Sequence, residues 1–531
     1  MHVDCFPITV LPHLSRLFSD YAQSHAPLRY YQQSPYSREW MAQAAAMPAE
    51  RRAAIADLLL RQNRAFGAGE KTITNIERLR NGANAVVTGQ QVTLFGGPVY
   101  TLLKAATAIR KAKDATDAGH EHVPVFWMAT EDHDLAEADH VLLPARHEMR
   151  KFRLEVKDDG ASVGALKLGQ GIRAVLDAVA EILGGSELFE WLERCYTPDT
   201  TFAEAFGGLL SRIFAEHGLI LIDASAREFH ALGAPVFERA ITEVDALRDA
   251  LLARDKELAE AGYHSQVLVT PQSSLLFLMD EETKARQPLR RRNGEWAAGK
   301  KSYNSSDLLE ILQSEPQRLG PNALLRSVFQ DYILPVSVYI GGPAEIAYFA
   351  QSQVVYEKVL GRTTAILPRL SATLVEPPIA EVMAKHEVGL SDLLATHPDD
   401  LAQRLGARSM PVEGKQKLAA AGNALDAELK SVTEWMRTLD AELGRSADVA
   451  ASKMRYQMNR LRRLAANFQL QKEASLRRHV DAMYLALYPG RHLQERTVGA
   501  AYFLARYGDG LVDTLVEHAA QECPGHKVFY L

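Results

Sequence analysis

Cysteine is scarce: three occur in 531 residues, at Cys5, Cys195 and Cys523, with no C-x-x-C pair among them. That count and spacing argue against a disulfide framework and against a zinc knot. Cys195, in "WLERCYTP", reads as an incidental or buried thiol rather than a nucleophile. Long hydrophobic runs are missing too, since no stretch approaches the roughly 20 apolar residues that cross a bilayer. The opening "MHVDCFPITVLPHL" lacks a basic segment followed by an apolar one, and a cytoplasmic protein is expected. Charge of one sign is lacking as well. Sixty Lys and Arg face 66 Asp and Glu, a formal net charge of −6, which provides no global field for nucleic acid or anionic lipid. Small molecules and other protein chains remain as partners.

The chain is longer than one hydrophobic core usually supports, so two or three units are expected. Residues 1–80 read as an N-terminal helical segment packing on the core, with "AERRAAIADLLLRQNRAF" showing apolar residues at helical spacing. From 81 to 375, the apolar runs "NAVVTG", "VPVFWMATE", "GLILIDAS" and "LPVSVYIGG" alternate with helical stretches. Continuous apolar strands separated by helices imply an α/β core whose parallel sheet is covered on both faces. Two stretches look inserted: 141–205, with "MRKFRLEV" and helices, and 264–300, which reads as a small antiparallel meander.

Residues 376–490 read as a helical coiled-coil hairpin. Leu418, Leu425, Leu429, Val432, Met436, Leu439 and Leu443 follow alternating steps of four and three; "GRSAD" at 444–448 interrupts the seam as a turn. It resumes with Met454, Met458, Leu461, Ala465 and Phe468, then Leu476, Val480, Met483 and Leu487, and Pro489-Gly490 stops it. Lys453, Arg455, Arg460, Arg462, Arg463, Lys472, Arg477 and Arg478 make the second helix basic, which reads as a solvated face or an anion-binding surface. Residues 491–531 form a C-terminal helical segment, with "HKVFYL" as a terminal strand.

Three places carry residues suited to chemistry. In "VVTGQQVTLFGGPVYTLLK" an apolar strand ends at Thr88-Gly89-Gln90-Gln91, crosses Gly96-Gly97-Pro98, and enters a helix carrying Lys104. Unpaired N–H groups and the helix dipole converge at such a corner, so it can hold an anion. No Gly-Lys-Ser/Thr follows Gly89, which excludes a Walker A loop. In "PVFWMATEDHDLAEADH" a buried strand ends in Glu131, Asp132, His133 and Asp134, with Asp139 and His140 shortly after. Ligands of open α/β sheets sit beyond the carboxyl ends of strands, and this cluster can bind an ammonium, act as general base, or hold Mg²⁺ through carboxylate oxygens. In "LPVSVYIGGPAEIAYF" the strand–glycine–glycine–proline–helix corner recurs, with Gly341, Gly342 and Glu345. Upstream, Asn322, Arg326 and Gln330 share one helix face, and Arg369 follows a further strand.

The motifs "TGQQVTLFGGPVYTLLK", "PVFWMATEDHD", "GPNALLRSVFQDYILP", "YIGGPAEIAYF", "LPRLSATLVEP" and "LQERTVGAAYFLARYG", in this order, resemble the BshC family, the cysteine-adding enzymes of bacillithiol biosynthesis. Val92-Thr93 depart from the family's pattern, where a smaller residue or glycine is expected. The resemblance implies a Rossmann-like core with inserted segments, similar to nucleotidyltransferases, and a coiled coil able to form a homodimer. It also implies a ligase that joins the cysteine carboxyl to the glucosamine amine of glucosaminyl-malate. ATP is the expected activating co-substrate, and Mg²⁺ a further candidate. Residue types at the strand tips fit this chemistry: Glu131, Asp132, His133 and Asp134 are the candidate catalytic residues, placed to take the amine's proton. Thr88, Gln90, Gln91, Gly96, Gly97, Lys104, Asn322, Arg326, Gln330, Gly341, Gly342, Glu345, Tyr348 and Arg369 are the candidate substrate-binding residues. Lys104 and the glycine corner would meet phosphate, and Arg326 or Arg369 a malate carboxylate. No resident metal is expected. Two readings from other classes compete: a metal-dependent hydrolase of an N-acyl amino sugar using His133, Asp134 and His140, and a non-catalytic coiled-coil scaffold.

Overall fold

A computed structural model describes residues 2–25, 28–43, 46–157, 160–292, 294–472, 474–520 and 525–531. The chain divides into two compact units, one built from Val3–Thr373 and Glu495–Val528, the other from Leu374–Gln494 and the extreme ends of the chain.

The first unit is organised on five strands: β1 (Asn84–Gln90), β2 (His122–Met128), β3 (Ile220–Asp223), β4 (Val336–Gly341) and β5 (Ala365–Pro368). They are all parallel and lie in the order β3-β2-β1-β4-β5. Every residue of β2 and β4 is buried, as the unbroken apolar runs require when helices cover both faces. The sheet is the Rossmann-like α/β core expected from the sequence. Helix α1 (Tyr100–Asp117) packs on β1 and β2; α2 (Ala323–Ile333) packs on α3 (Pro343–Leu360), which leaves β4 through its glycine corner.

The two stretches read as insertions hold structure of their own. The first holds a hairpin of His140–Pro144 and Met149–Arg153 followed by helices. The second is an antiparallel sheet of Ser273–Met279, Arg286–Arg292, Glu295–Ala298, Lys301–Tyr303 and Leu319–Pro321, so it runs past residue 300. The N-terminal region carries the strand His2–Phe6 and the helices Arg16–Gln23, Ala49–Ala65 and Glu70–Arg80, with a long turn-rich stretch between the first two helices, and His526–Tyr530 is the terminal strand. Cys5 is disulfide-bonded, which the cysteine spacing did not suggest. Cys195 is a free thiol, and burial pushes it above the ordinary range.

In the second unit, α4 (Val412–Leu439) and α5 (Ala441–Lys472) pair with each other, and α6 (Ala474–Leu487) follows. The turn falls at Asp440, not at 444–448. Asp440 accepts from the N–H groups of Glu442 (2.7 Å) and Leu443 (2.9 Å) and so starts α5, while "GRSAD" stays helical. Gly444 lies where a Cβ would come within 2.9 Å of the Arg437 side chain, so it serves close helix packing rather than a break. The seam is partly as expected: Leu418, Leu425, Leu429 and Met436 are half-buried and Met458 is buried, together with small residues such as Gly422, Ala451 and Ala466, whereas Leu439, Leu461 and Phe468 are exposed. Leu476, Val480, Met483 and Leu487 are buried as expected. On the basic face Arg455 pairs with Asp426 and Arg477 with Asp399.

Candidate functional site

Strand order reverses between β1 and β4, whose connections lead to β2 and β5, toward opposite edges of the sheet. Open α/β sheets bind ligands in the crevice at this switch point. In this chain it opens as a cavity of about 260 Å³, lined by residues of the first unit alone. Gly89, Gln90 and Gln91 come from the end of β1, Tyr100 and Lys104 from α1, and Trp127, Ala129 and Asp132 from β2 and the loop after it. Arg326 projects from α2, Tyr339 from β4, and Gly342, Glu345 and Tyr348 from the second corner. Glu137, Arg369 and Arg496 complete the charged lining.

At its floor Lys104 joins the two corners. Its Nζ donates to the Gly89 carbonyl (2.7 Å) and to Gln90 Oε1 (2.9 Å), and it lies 2.5 Å from Glu345 Oε2. Glu345 also accepts from Tyr339 Oη (2.6 Å) and the Gly342 N–H (2.7 Å). Burial lowers the Lys104 ammonium, against the opposing pull of Glu345. For Glu345 burial acts upward, but Lys104 and the two hydrogen-bond donors hold the carboxyl below its ordinary range. The pair is therefore charged and internally satisfied.

The two candidate arginines differ. Arg369 is committed: its guanidinium forks onto Glu495 at 2.6 and 3.1 Å, and Glu495 further accepts from Ser371 Oγ and the Ala372 N–H. Arg326 has no carboxylate partner among the described residues. It donates to Tyr348 Oη (3.1 Å) and Gln330 Oε1 (3.2 Å) and lies near the faces of Tyr339 and Trp127. Arg496 is exposed at the mouth. Opposite in sign stand Asp132 and Glu137, whose carboxyl is raised by desolvation and by Asp134 and Asp132. Gln91 is 4% exposed, and neither polar atom of its carboxamide has a partner. A buried group left so costs about 1–3 kcal/mol, which a ligand can recover.

Of the acidic cluster only Asp132 reaches the cavity. Glu131 turns to His230, 3.0 Å away, and although burial acts upward on its carboxyl, His230 and Arg286 hold it below its ordinary range. His133 is exposed beside Asp132, and Asp134 caps the short helix Leu135–Ala138. Thr88 donates to the Ile340 carbonyl, Asn322 caps α2, and Gln330 is buried behind Arg326. Gly341 ends β4 without facing the cavity.

Gly96 and Gly97 also lie away from it. The Gly97 N–H donates to Leu94 O, its carbonyl accepts from Ala500 N–H, and Val99 N–H donates to Val498 O. A triphosphate needs several unclaimed N–H donors at such a turn, and with Lys104 held by Glu345 these residues do not fit one. For the zinc reading, His140 binds Asp139, which is held by Arg153. Among the described residues no group of three or more His, Cys, Asp or Glu gathers for a metal ion.

Sequence reasoning missed Tyr100, Trp127, Glu137, Tyr339 and Arg496. Glu137 stood within the quoted acidic run. Tyr339 and Trp127 were hidden in apolar strands, and only chain folding brings Arg496 to the mouth.

Two family models cover the chain: the N-terminal Rossmann-like domain of the bacillithiol biosynthesis protein BshC matches residues 1–370, and its C-terminal coiled-coil domain matches residues 372–531. The BshC protein of Koribacter versatilis is 44% identical over 531 residues, 99% of each chain. That of Solibacter usitatus is 34% identical over 99% of each chain, and that of Salinibacter ruber 32% over 94% of this chain and 92% of its own. These relatives are named for a proposed cysteine-ligase activity. The chain belongs to the BshC family of bacillithiol biosynthesis.

Proposed function

We propose that this BshC-family chain joins cysteine, through its carboxyl group, to the glucosamine amine of glucosaminyl-malate, and that the cavity at the switch point holds the amine substrate. The observation that carries this reading is charge placement: an arginine without a carboxylate partner, Arg326, and the mouth residue Arg496 share one cavity with Asp132 and Glu137. A small molecule bearing both carboxylates and an ammonium fits that pattern. Arg326 and Arg496 take the malate carboxylates, and the acidic pair takes the ammonium.

Amide formation needs a neutral amine. Glu137, raised toward neutrality, is the better proton acceptor of the pair. Loss of the proton frees the nitrogen lone pair to attack the activated cysteine carbonyl; the new C–N bond forms as the activating group leaves with its C–O bonding electrons. ATP is the co-substrate that this activation calls for, with Mg²⁺ as its companion; the cavity residues are assigned to the acceptor alone. Gln91 supplies a donor and an acceptor to the sugar, and Lys104–Glu345 shapes the floor.

We also infer a homodimer through the large apolar side chains left exposed on α4 and α5, among them Trp435, Leu464 and Phe468. The expected location is the cytoplasm; among the described residues no helix is long and apolar enough to cross a membrane. Purified protein given cysteine, glucosaminyl-malate, ATP and Mg²⁺ should form bacillithiol, detected by thiol labelling and chromatography. Undiminished turnover by Arg326→Ala and Glu137→Gln variants would refute the site.

A further inference from the structure

Arg326 meets the cavity, yet the group that aims it lies one residue beyond its neighbour. Its Nη1 bond to Gln330 Oε1 exists only while Gln330 turns its carbonyl, and not its NH₂, toward the guanidinium. Gln330 is wholly buried and cannot trade either group for water. Its orientation is settled on the far side, where Nε2 donates to Asp331 Oδ1 at 3.3 Å. The reversed amide would set NH₂ against guanidinium and carbonyl against carboxylate, so both neighbours demand the same orientation. Asp331 is itself fixed: Thr364 Oγ1 donates to its Oδ2, Arg362 lies 3.7 Å from that oxygen, and Arg362 Nη2 donates to its main-chain carbonyl at 3.1 Å.

We propose that Asp331 is a positioning residue for substrate recognition: its carboxylate orients the Gln330 carboxamide, which holds the Arg326 guanidinium in place for an anionic group of the substrate. The proposal rests on reading Arg326 as the anion-binding residue. Asp331 touches no substrate; it acts through two side chains in series. Its carboxylate form is what prefers an NH₂ donor, so recognition is pH-dependent. The groups that face it are Gln330 from α2, Tyr356 from α3, and Arg362 and Thr364 from the segment before β5. Burial pushes the carboxyl up to about 6, against the opposing pull of Arg362, Thr364 and Gln330. Below that pH the acid is neutral, its oxygen accepts more weakly, and the hold on the amide slackens.

Calorimetric binding of malate to the full-length protein, followed from neutral to acid pH, tests the relay. Wild type should bind malate at neutral pH and lose about tenfold in affinity as Asp331 protonates. Asp331→Asn should bind about tenfold more weakly at neutral pH, with the step near pH 6 gone from its acid decline. Thr364→Val removes one hydrogen bond to the carboxylate, so its acid decline should begin at higher pH. Should Asp331→Asn fail to fold, this milder variant decides the matter, and an unmoved pH profile overturns the proposal. If Arg326→Ala binds malate like wild type, or wild type does not bind it, the reading of Arg326 fails and this inference with it. If Arg326→Ala loses affinity while Asp331→Asn keeps both affinity and acid decline, the relay alone is wrong.

Discussion

The chain writes strand–Gly-Gly-Pro–helix twice, and the two corners end up with different work. At Gly96-Gly97-Pro98 the backbone turns left-handed, with φ of 81° and 69° at the glycines, and its polar groups are taken by Leu94, Val498 and Ala500. At Gly341-Gly342-Pro343 the backbone stays extended, φ is −81° at Gly342, and the corner faces the cavity with Glu345 bonded to its N–H. The local motif sets a tight exit from a strand; what packs over it decides whether a ligand can enter. The segment Glu495–Ala500 serves both corners, closing the first through Val498 and Ala500 and holding Arg369 beside the second through Glu495. Lys104 links them, since its helix starts at the closed corner and its ammonium ends in the open one.

Cutting that link should have the largest effect. Lys104→Met leaves Glu345 buried beside an apolar chain, and removing one partner of such a pair costs about 3–5 kcal/mol. Denaturant unfolding should show that loss, and adding Glu345→Gln should recover part of it. If the single variant is as stable as wild type, the corners are not coupled through this pair.

Acid should strain the open corner's support and spare the closed one. His526 is fully buried between Ser371 and Thr373, next to Glu495, and burial holds it down at about 4 against an ordinary value of 6.5. A group whose folded value is depressed contributes stability that is complete above its unfolded value and is lost as pH falls toward its folded one. From pH 6.5 to about 4 the expected loss is at most about 3 kcal/mol. Asp331, raised by burial to about 6, works in the opposite sense over the same window, so the net slope mixes the two. The difference between wild type and His526→Gln isolates the histidine; parallel stability–pH curves for the two proteins would remove it from the account.

Exchanging glycine for alanine separates the corners directly. At Gly97 a Cβ would fall 2.1 Å from Thr93 Oγ1 on a positive φ, and Gly97→Ala should lose about 2 kcal/mol. At Gly342 it would meet Glu345 Oε2 at 3.3 Å and Arg369 Nε at 3.6 Å on ordinary backbone. Gly342→Ala should fold within about 1 kcal/mol of wild type and instead weaken malate binding. Equal stability losses at both positions would erase the distinction.

Much of this was legible in the sequence. Apolar runs with no polar alternation identify buried parallel strands, and the chain order of strands and helices leaves few sheets to choose from. The two corners were visible because glycine and proline mark sharp turns. What the sequence could not say is which corner is covered, because Val498 and Ala500 lie some 400 residues from Gly97 in the chain. For the same reason it left Arg326 and Arg369 equivalent: only the packed chain brings Glu495 to one of them. The acidic run was over-read, since side chains at consecutive positions after a strand diverge, and Asp132 faces the cavity while Glu131 turns to His230. The helical seam was legible only in part, for a related reason. Spacing shows which face of a helix is apolar but not what covers it: Gly422 lies against the Arg462 side chain of the paired helix, while Ala466 backs onto Gly406 of the helix Pro398–Ser409.

The smallest effect should be the most discriminating for the open corner. Gln91 leaves β1 between the two corners, buried and with its carboxamide unpaired. If it were structural, replacing it with an apolar residue of similar length should cost stability through lost packing. If it waits for a ligand, Gln91→Leu removes an unsatisfied polar group and should stabilise the protein by about 1 kcal/mol. The same variant should show a raised KM for the amine substrate, because two hydrogen bonds offered to it are gone. Thermal unfolding and steady-state kinetics on one preparation read both quantities. A variant that loses stability while keeping its KM would mean that Gln91 belongs to the packing around the closed corner, and that the open corner recognises its substrate through charge alone.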